Sequence, residues 1–112
     1  MTPERCVQAQ LDAYNAHDLE GFLAGYADDV CLYRPPASAP VLAGKAAFAD
    51  FYARERFALP GLRADLVGRL VAGKQVIDHE RIHGLGETPY EVIVVYTVED
   101  GLIRSVCSFP AR

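Results

Sequence analysis

The second half of the chain contains four strand-like segments that follow one another at roughly ten-residue spacing, each separated from the next by a turn signal. They are residues 62–72, 75–83, 90–98 and 102–109. Gly73-Lys74 and Glu99-Asp100-Gly101 are typical of tight turns between antiparallel strands. Strands that follow a block of helices, rather than alternating with them, predict an α+β fold and argue against a doubly wound α/β fold.

The first half predicts three short helices and one further strand, residues 30–33. Thr2 and Pro3 form a helix start, Asp18 can cap a second helix, and a third begins near Gly44. The apolar stripe of the first helix is Val7, Leu11 and Tyr14. That of the second is Leu19, Phe22, Leu23 and Tyr26, and that of the third is Phe48, Phe51 and Tyr52. Because each helix has only one apolar stripe, we expect the three to cover one face of a sheet.

Composition limits the classes of function. The 112 residues fit a single domain, 1–112, and the net charge of −4 with scattered basic residues argues against nucleic-acid binding. No apolar run approaches the roughly 20 residues that span a bilayer. The N-terminal MTPERC lacks a secretion segment, so we expect a cytoplasmic protein. The three cysteines support neither a disulfide framework nor a zinc site, and we expect no cofactor.

Residues 92–98, VIVVYTV, are apolar on both faces of the strand. One face can pack on the helices, and the other would be exposed in a monomer. Because contiguous exposed apolar surface usually marks an interface, we expect a homodimer through the outer face of the sheet. The alternative is that loops cover this face.

Three stretches together resemble the nuclear transport factor 2-like superfamily, and most closely its ketosteroid isomerase and SnoaL-like branch. They are NAHDLEGFLAGYADDVCLY, the Gly-started helix bearing FYARE, and EDGLIRSV. The resemblance implies a cystatin-like α+β roll, in which a cone-shaped, curved, mixed sheet packs on three N-terminal helices around an apolar pocket, commonly as a dimer. It does not fix the chemistry, because isomerases, hydrolases, cyclases and non-catalytic binders share this scaffold.

The isomerase mechanism fits this chain poorly. The resemblance implies a carboxylate base at the end of the first strand, where this chain has Arg34, and arginine stays protonated. The tyrosine donor of the isomerase falls at Gln10, or at Tyr14 after a one-turn shift, and its acidic donor falls at about Ile93. Only Tyr52 matches a polar member of the family's hydrogen-bond network.

The strand 75–83 carries the most polar stretch of the second half, Asp78 to His83. Alternation places Asp78 and Glu80 on one face and His79, Arg81 and His83 on the other. Ungapped matching to the family points His79 and Arg81 into the pocket, whereas a one-residue slip turns the two carboxylates inward. His79, Glu80 and Asp78 are therefore the candidate proton carriers, although each could instead be a solvated or interface residue.

Arg34 is the candidate anchor for a ligand. It can pair with a carboxylate such as Glu80, or join His79 in binding an anion; otherwise it lies at the rim with its head in water. The candidate ligand-binding residues are Arg34, Tyr14, Tyr26, Phe51, Tyr52, Arg81 and Phe109. His79 and His83 lie about 13 Å apart on a strand, too far to chelate one metal, so we expect no metal site.

Three functions remain open. The first is a small-molecule-binding protein whose aromatic pocket takes a compact apolar ligand bearing a carbonyl or carboxylate. The second is an acid–base enzyme, such as an isomerase, cyclase or hydrolase, acting on such a ligand. The third is a structural or interaction homodimer without catalysis.

Overall fold

The computed structural model describes residues 1–110 and has the predicted α+β architecture, with helices packed on a curved, mixed sheet. The elements are α1 Pro3–Asn15, α2 Leu19–Ala24, β1 Tyr26–Tyr33, β2 Leu42–Ala43, α3 Lys45–Glu55, β3 Arg63–Ala72, β4 Gln75–His83, β5 Tyr90–Glu99 and β6 Leu102–Pro110. The four strands predicted in the second half are confirmed to within one residue at each end. The two-residue strand β2 was not predicted.

The helices begin where the sequence indicates. The Thr2 hydroxyl accepts a hydrogen bond from the backbone N–H of Arg5 at 3.2 Å, and the Asp18 carboxylate accepts one from that of Gly21 at 3.0 Å. Gly44 precedes α3 with φ at +91°, a conformation that favours glycine.

The six strands form one sheet in the order β2-β1-β6-β5-β4-β3. The β1–β6 pair is parallel and the other four pairs are antiparallel. Register shifts interrupt the β1–β6, β3–β4 and β5–β6 pairs. Such bulges bend strands, which explains why the sheet curves around the helices instead of lying flat beneath them.

Tyr26 is a correction to the predicted helix. The sequence places it on the second helix, but α2 ends at Ala24 and Tyr26 opens β1. Tyr26 pairs with Ile103 of β6, and the Gly25 carbonyl accepts a hydrogen bond from the Ile103 N–H at 2.8 Å. This non-local pairing extends β1 four residues before the predicted 30–33, and local periodicity could not reveal it.

The concave face of the sheet packs on the helices and forms the core. Along β5 the inward positions, Val92, Val94, Tyr96 and Val98, are buried, while the residues between them are half-buried on the other face. Within residues 1–110, none of the helices has both the length and the apolar character needed to cross a membrane.

Candidate functional site

A cavity of about 580 Å³ lies between the concave face of the sheet and the helices. Small-molecule sites typically occupy roughly 300–1,000 Å³, so this volume suits an organic ligand. The aromatic residues that line it are Tyr14, Phe22, Tyr26, Phe51, Tyr52, Tyr90 and Tyr96. The helices supply one wall, and strands β1, β3, β4, β5 and β6 with the loop after β4 supply the other.

The aromatic wall is a packed cluster. The ring of Phe22 lies 4.9 Å from the rings of both Tyr26 and Tyr52 and 5.7 Å from that of Tyr14, measured between centroids. Phe51 meets Tyr52 edge-on at 5.3 Å. Tilted and edge-on pairs at these distances are favourable arrangements. The wall is therefore a rigid, largely apolar surface that needs little reordering to receive a ligand.

Glu80 is the acidic residue that lines this cavity. It lies on β4 opposite Val92 of β5, and it is only 5% exposed. A buried carboxylate on an apolar face is costly unless it is neutral or hydrogen-bonded. Its placement among aromatic and aliphatic side chains therefore marks Glu80 as the chemically distinctive group of the cavity.

A chain of hydrogen bonds leads from α1 and β1 to Glu80. The Tyr26 hydroxyl donates to Oε1 of Gln10 at 2.9 Å, and Nε2 of Gln10 donates to the Tyr96 hydroxyl at 3.4 Å. The Tyr96 hydroxyl in turn donates to Oε2 of Glu80 at 3.1 Å. Every member of this chain is buried. The direction of donation makes Oε2 an acceptor, which leaves Oε1 of Glu80 for a ligand.

Burial raises the pKa of Glu80 to about 7, and the nearby charge of Asp78 adds to the increase. The hydrogen bond from Tyr96 and the charge of Arg69 act in the opposite direction. Burial also raises the pKa of Tyr52 to about 12 and that of Tyr96 well above its ordinary value. Near neutral pH, Glu80 can therefore hold or release a proton, while the tyrosine hydroxyls remain donors.

Asp78 has a different environment, although it shares a face with Glu80. Its two carboxylate oxygens accept hydrogen bonds from Nε and Nη2 of Arg69 at 2.7 and 3.0 Å, and it is fully buried. Arg69 also donates to Oε1 of Gln8 at 2.8 Å. This bidentate pair does not line the cavity, so Asp78 stabilises the β3–β4 hairpin and the proton-carrier candidate among the two carboxylates is Glu80.

The prediction that His79 and Arg81 face the pocket is wrong. Both lie on the outer face of β4, where Nε2 of His79 is 2.6 Å from Oε1 of Glu91 and Arg81 is 3.7 Å from the same carboxylate. His83, also on that face, pairs with Asp65 at 2.8 Å. The physical reason is the one-residue alternation of a strand: once Glu80 is inside, its neighbours must be outside.

Phe109 is also misplaced by the sequence prediction. It pairs with Ile93 on the outer face of the sheet and is 37% exposed, whereas Val106, Ser108 and Pro110 of β6 line the cavity. By contrast, Tyr14, Tyr26, Phe51, Tyr52 and Arg34 all line the cavity. Their contribution to binding stays a prediction.

Two guanidinium groups lie at the solvent side of the cavity. Arg34 follows β1 and is exposed, and Arg56 caps the end of α3 and is half-buried. Both lie close enough to Tyr52 for their charges to oppose the rise in its pKa. The cavity therefore has a cationic mouth and a carboxyl group at its buried end.

The lining residues that were not among the predicted site residues include Gln10, Tyr96 and Arg56. Gln10 was considered only as the position of a missing tyrosine. Tyr96 could have been found, because it follows the inward phase of Val92 and Val94 and brings a hydroxyl to that face. Nothing in the sequence distinguishes Arg56 from other arginines at helix ends.

Within the part of the chain that the structure describes, no three His, Cys, Asp or Glu side chains come close enough together to hold a metal ion. The polar groups of the cavity, Glu80 and the tyrosine hydroxyls, are suited to hydrogen bonding and proton transfer.

Comparison with known proteins gives a family and a fold. Residues 7–106 match the family model of the SnoaL-like domain, and no curated protein matches the chain in sequence. A ketosteroid isomerase candidate from Kribbella flavida is similar in structure, with TM-score 0.83 and 23% identity over 98% of this chain and 78% of that one. A cystatin-fold protein from Novosphingobium aromaticivorans has TM-score 0.80 and 24% identity over 96% of this chain and 97% of that one. A computationally designed 17-OHP binder has TM-score 0.82 and 21% identity over 99% and 95% of the two chains.

Proposed function

This chain belongs to the SnoaL-like domain family, and from that premise we propose that it binds a compact apolar small molecule carrying a carbonyl group in the cavity between helices and sheet. The observation that carries the proposal is the combination of an aromatic-walled cavity of about 580 Å³ with one buried carboxyl group, Glu80. The apolar wall favours a hydrophobic body, and the carboxyl group selects the polar atom of the ligand.

Glu80 is suited to donate a hydrogen bond to a carbonyl oxygen. Its Oε2 accepts from Tyr96, and no described residue contacts its Oε1 in a hydrogen bond. No buried polar side-chain atom in residues 1–110 lacks a partner, which supports an Oε1 that is open to the cavity. Below pH 7 the proton of Glu80 can sit on Oε1 and be donated into the cavity.

The ligand chemistry of one structural neighbour is compatible with this proposal. The designed protein of the same fold binds 17-OHP, and its fold resembles that of the present chain over nearly the full length. A cyclic ketone carries the carbonyl group that the proposal requires, so it is a suitable first probe. We choose 2-tetralone, which is neutral and has exchangeable hydrogens next to its carbonyl group.

Calorimetric titration with 2-tetralone at pH 6 tests the proposal. Glu80→Gln keeps a donor, so we expect its affinity to stay within about threefold of the native protein. Glu80→Ala loses the donor, and we expect affinity to fall about tenfold, as for the loss of one hydrogen bond in a buried site. Glu91→Gln, a matched change on the outer face, should have no effect. Equal affinity for all four proteins would contradict the proposed site.

A second candidate function is proton transfer, which the pKa of Glu80 near 7 favours. The ionised carboxylate would remove a hydrogen next to the ligand carbonyl, the C–H electron pair would move towards the carbonyl oxygen, and the proton would return to carbon. Arg34 cannot perform this step because it stays protonated.

Deuterium exchange into 2-tetralone, followed by NMR, distinguishes the two functions. An enzyme should accelerate exchange with a rate that rises through pH 7, and Glu80→Gln should abolish it without weakening binding. A pure binder should leave exchange at its uncatalysed rate, and its affinity for the ketone should fall as the pH rises above 7.

We also propose that the protein forms a homodimer through the outer face of the sheet. Leu70, Ile77, Val95, Cys107 and Tyr33 lie side by side across five strands on that face. Leu70 is 61% exposed. Burial of this apolar row against a second copy would remove it from water. If neither ligand binding nor exchange is found, this interface would support the third candidate, a structural homodimer.

A further inference from the structure

We propose that the ligand is an oxo acid, an apolar molecule whose carboxylate is held by Arg34 and Arg56 at the cavity mouth while its keto oxygen reaches Glu80 at the buried end. The inference rests on the proposed function and extends it, because it assigns the second polar end of the ligand and a residue, Arg56, that sequence reasoning did not identify.

Neither guanidinium group has an acidic partner in the part of the chain that the structure describes. In residues 1–110, no carboxylate lies within 4.0 Å of either Arg34 or Arg56, whereas five other arginines make such contacts. Those five are Arg54, Arg63, Arg69, Arg81 and Arg104. Arg5 also lacks a partner, but it is exposed on α1 and does not line the cavity. In a chain of net charge −4, two unneutralised cations at one opening make a local site for an anion.

Arg56 is held in place before any ligand arrives. Its Cζ lies 5.2 Å from the centroid of the Phe51 ring, over the ring face, and its Nη1 donates to the Glu55 carbonyl at 3.0 Å. Stacking, this hydrogen bond and the contact with the Tyr14 hydroxyl hold the guanidinium group in place and still leave N–H donors available for a ligand. Since less side-chain freedom remains to be lost, Arg56 can bind a carboxylate with a smaller entropic cost than a freely moving arginine.

The arrangement of charges determines which end of a ligand lies at the cavity mouth and which end lies at the buried end. Arg34 is exposed and Arg56 half-buried, whereas Glu80 is 5% exposed, so the cations lie nearer solvent than the carboxyl group. All three line one cavity whose intervening wall is aromatic. A molecule that satisfies both ends has an anionic group at the mouth and, towards the buried end, a hydrogen-bond acceptor attached to an apolar body. A carboxylate matches the planar fork of arginine, and a ketone matches the donor at Glu80.

The test uses three probes of one skeleton: 4-oxo-4-phenylbutanoate, its methyl ester, and 4-phenylbutanoate, which lacks the ketone. Calorimetry at pH 6 keeps the probe carboxylates ionised. We expect the oxo acid to bind the native protein at least tenfold more tightly than either of the other two probes. The preference over the ester should weaken as salt is raised.

Variants assign each preference to its residues. The double variant Arg34→Gln/Arg56→Gln should reduce the preference for acid over ester to less than threefold, chiefly by weakening the binding of the acid. Arg54→Gln, on the same helix but outside the cavity, should leave the preference intact. Acid and ester binding equally well to the native protein, with the ester still sensitive to Glu80→Ala, would overturn this inference and leave the proposed function standing. No binding of any probe would overturn this inference, and no binding of 2-tetralone as well would overturn both.

Discussion

Glu80 combines three properties at the scale of a single residue: it is buried opposite Val92 of β5, it accepts a hydrogen bond from Tyr96, and its pKa is raised to about 7. Together they make its protonation state responsive near neutral pH. The pH dependence of folding should therefore carry a signature of this one group.

The first prediction concerns that signature. The ordinary pKa of a glutamate is 4.5, so between pH 4.5 and 7 the unfolded chain loses a proton that the folded protein keeps at Glu80. The contribution to stability is complete below pH 4.5 and is lost as the pH rises through 7. The rise in the pKa of Glu80 from 4.5 to about 7 corresponds to roughly 3 kcal/mol in the free energy of unfolding. Urea unfolding across this range should show native stability falling relative to that of Glu80→Gln, while Glu20→Gln, at an exposed position with no ion pair in residues 1–110, follows the native protein. Parallel curves for all three would contradict the raised pKa.

The second prediction uses the hydrogen-bond chain. Tyr96→Phe removes the donor that favours the ionised form of Glu80, so the pKa of Glu80 should rise from its native value of about 7. Tyr26→Phe, at the far end of the chain, should change it much less. NMR titration of carboxyl-labelled glutamate measures both. A larger effect from Tyr26→Phe would mean that the chain does not act on Glu80 through Tyr96.

At the scale of elements, the β3–β4 hairpin depends on a buried ion pair. Asp78 is fully buried and is neutralised by Arg69 on the neighbouring strand. Removal of Asp78 leaves the mostly buried Arg69 with only the neutral Gln8 at 2.8 Å and the exposed Glu4 at 3.9 Å. The hairpin also presents Glu80 to the cavity, so its stability and the geometry of the site are linked.

The third prediction is that Asp78→Ala lowers the free energy of unfolding by about 3–5 kcal/mol, as for other broken buried pairs. Asp50→Ala removes an exposed helical pair with Arg54 and should cost less than about 1 kcal/mol. Arg69→Met/Asp78→Leu, which removes both charges, should be more stable than Asp78→Ala. Chemical denaturation of the native protein and these three variants measures the differences in the free energy of unfolding. A double variant less stable than the single one would show that the pair contributes more than mutual neutralisation.

The elements were predictable because local signals mark them: caps at Thr2 and Asp18, and turns at Gly73-Lys74 and Glu99-Asp100-Gly101. Ungapped matching favoured the wrong inward face of β4, and the one-residue slip left open as the alternative gives the observed face; the sequence contains a clue that distinguishes the two. A two-residue turn at Gly73-Lys74 places Arg69 directly opposite Asp78, which indicates a paired charge on one face. Ungapped matching to relatives ignored that pairing and turned His79 inward. Cavity residues such as Arg56 depend on distant packing and have no local signal.

At the scale of the whole molecule, the two faces of the sheet form two separate surfaces. Its concave face lines the cavity, and its outer face carries the apolar row from Leu70 to Tyr33. The two surfaces alternate residue by residue along β4 and β5, so a ligand and a second copy of the chain would bind opposite faces without competing.

The fourth prediction concerns assembly. Val95 lies at the centre of the apolar row, between Ile77 and Cys107. Sedimentation at micromolar concentration should show a dimer for the native protein and a monomer for Val95→Glu, because a buried unpaired carboxylate is costly. Val41→Glu, an exposed apolar residue outside the row, should stay dimeric. Circular dichroism checks that each variant is folded, and a native monomer would contradict the interface.

A crystal structure of the protein with 4-oxo-4-phenylbutanoate, grown at pH 6, tests the central claim most directly. We predict the phenyl ring against Phe22 and Tyr52, the keto oxygen within hydrogen-bond distance of Oε1 of Glu80, and the carboxylate between Arg34 and Arg56. A cavity without the compound, or the compound bound with Glu80 and both arginines untouched, would contradict the assignment of this cavity as the ligand site.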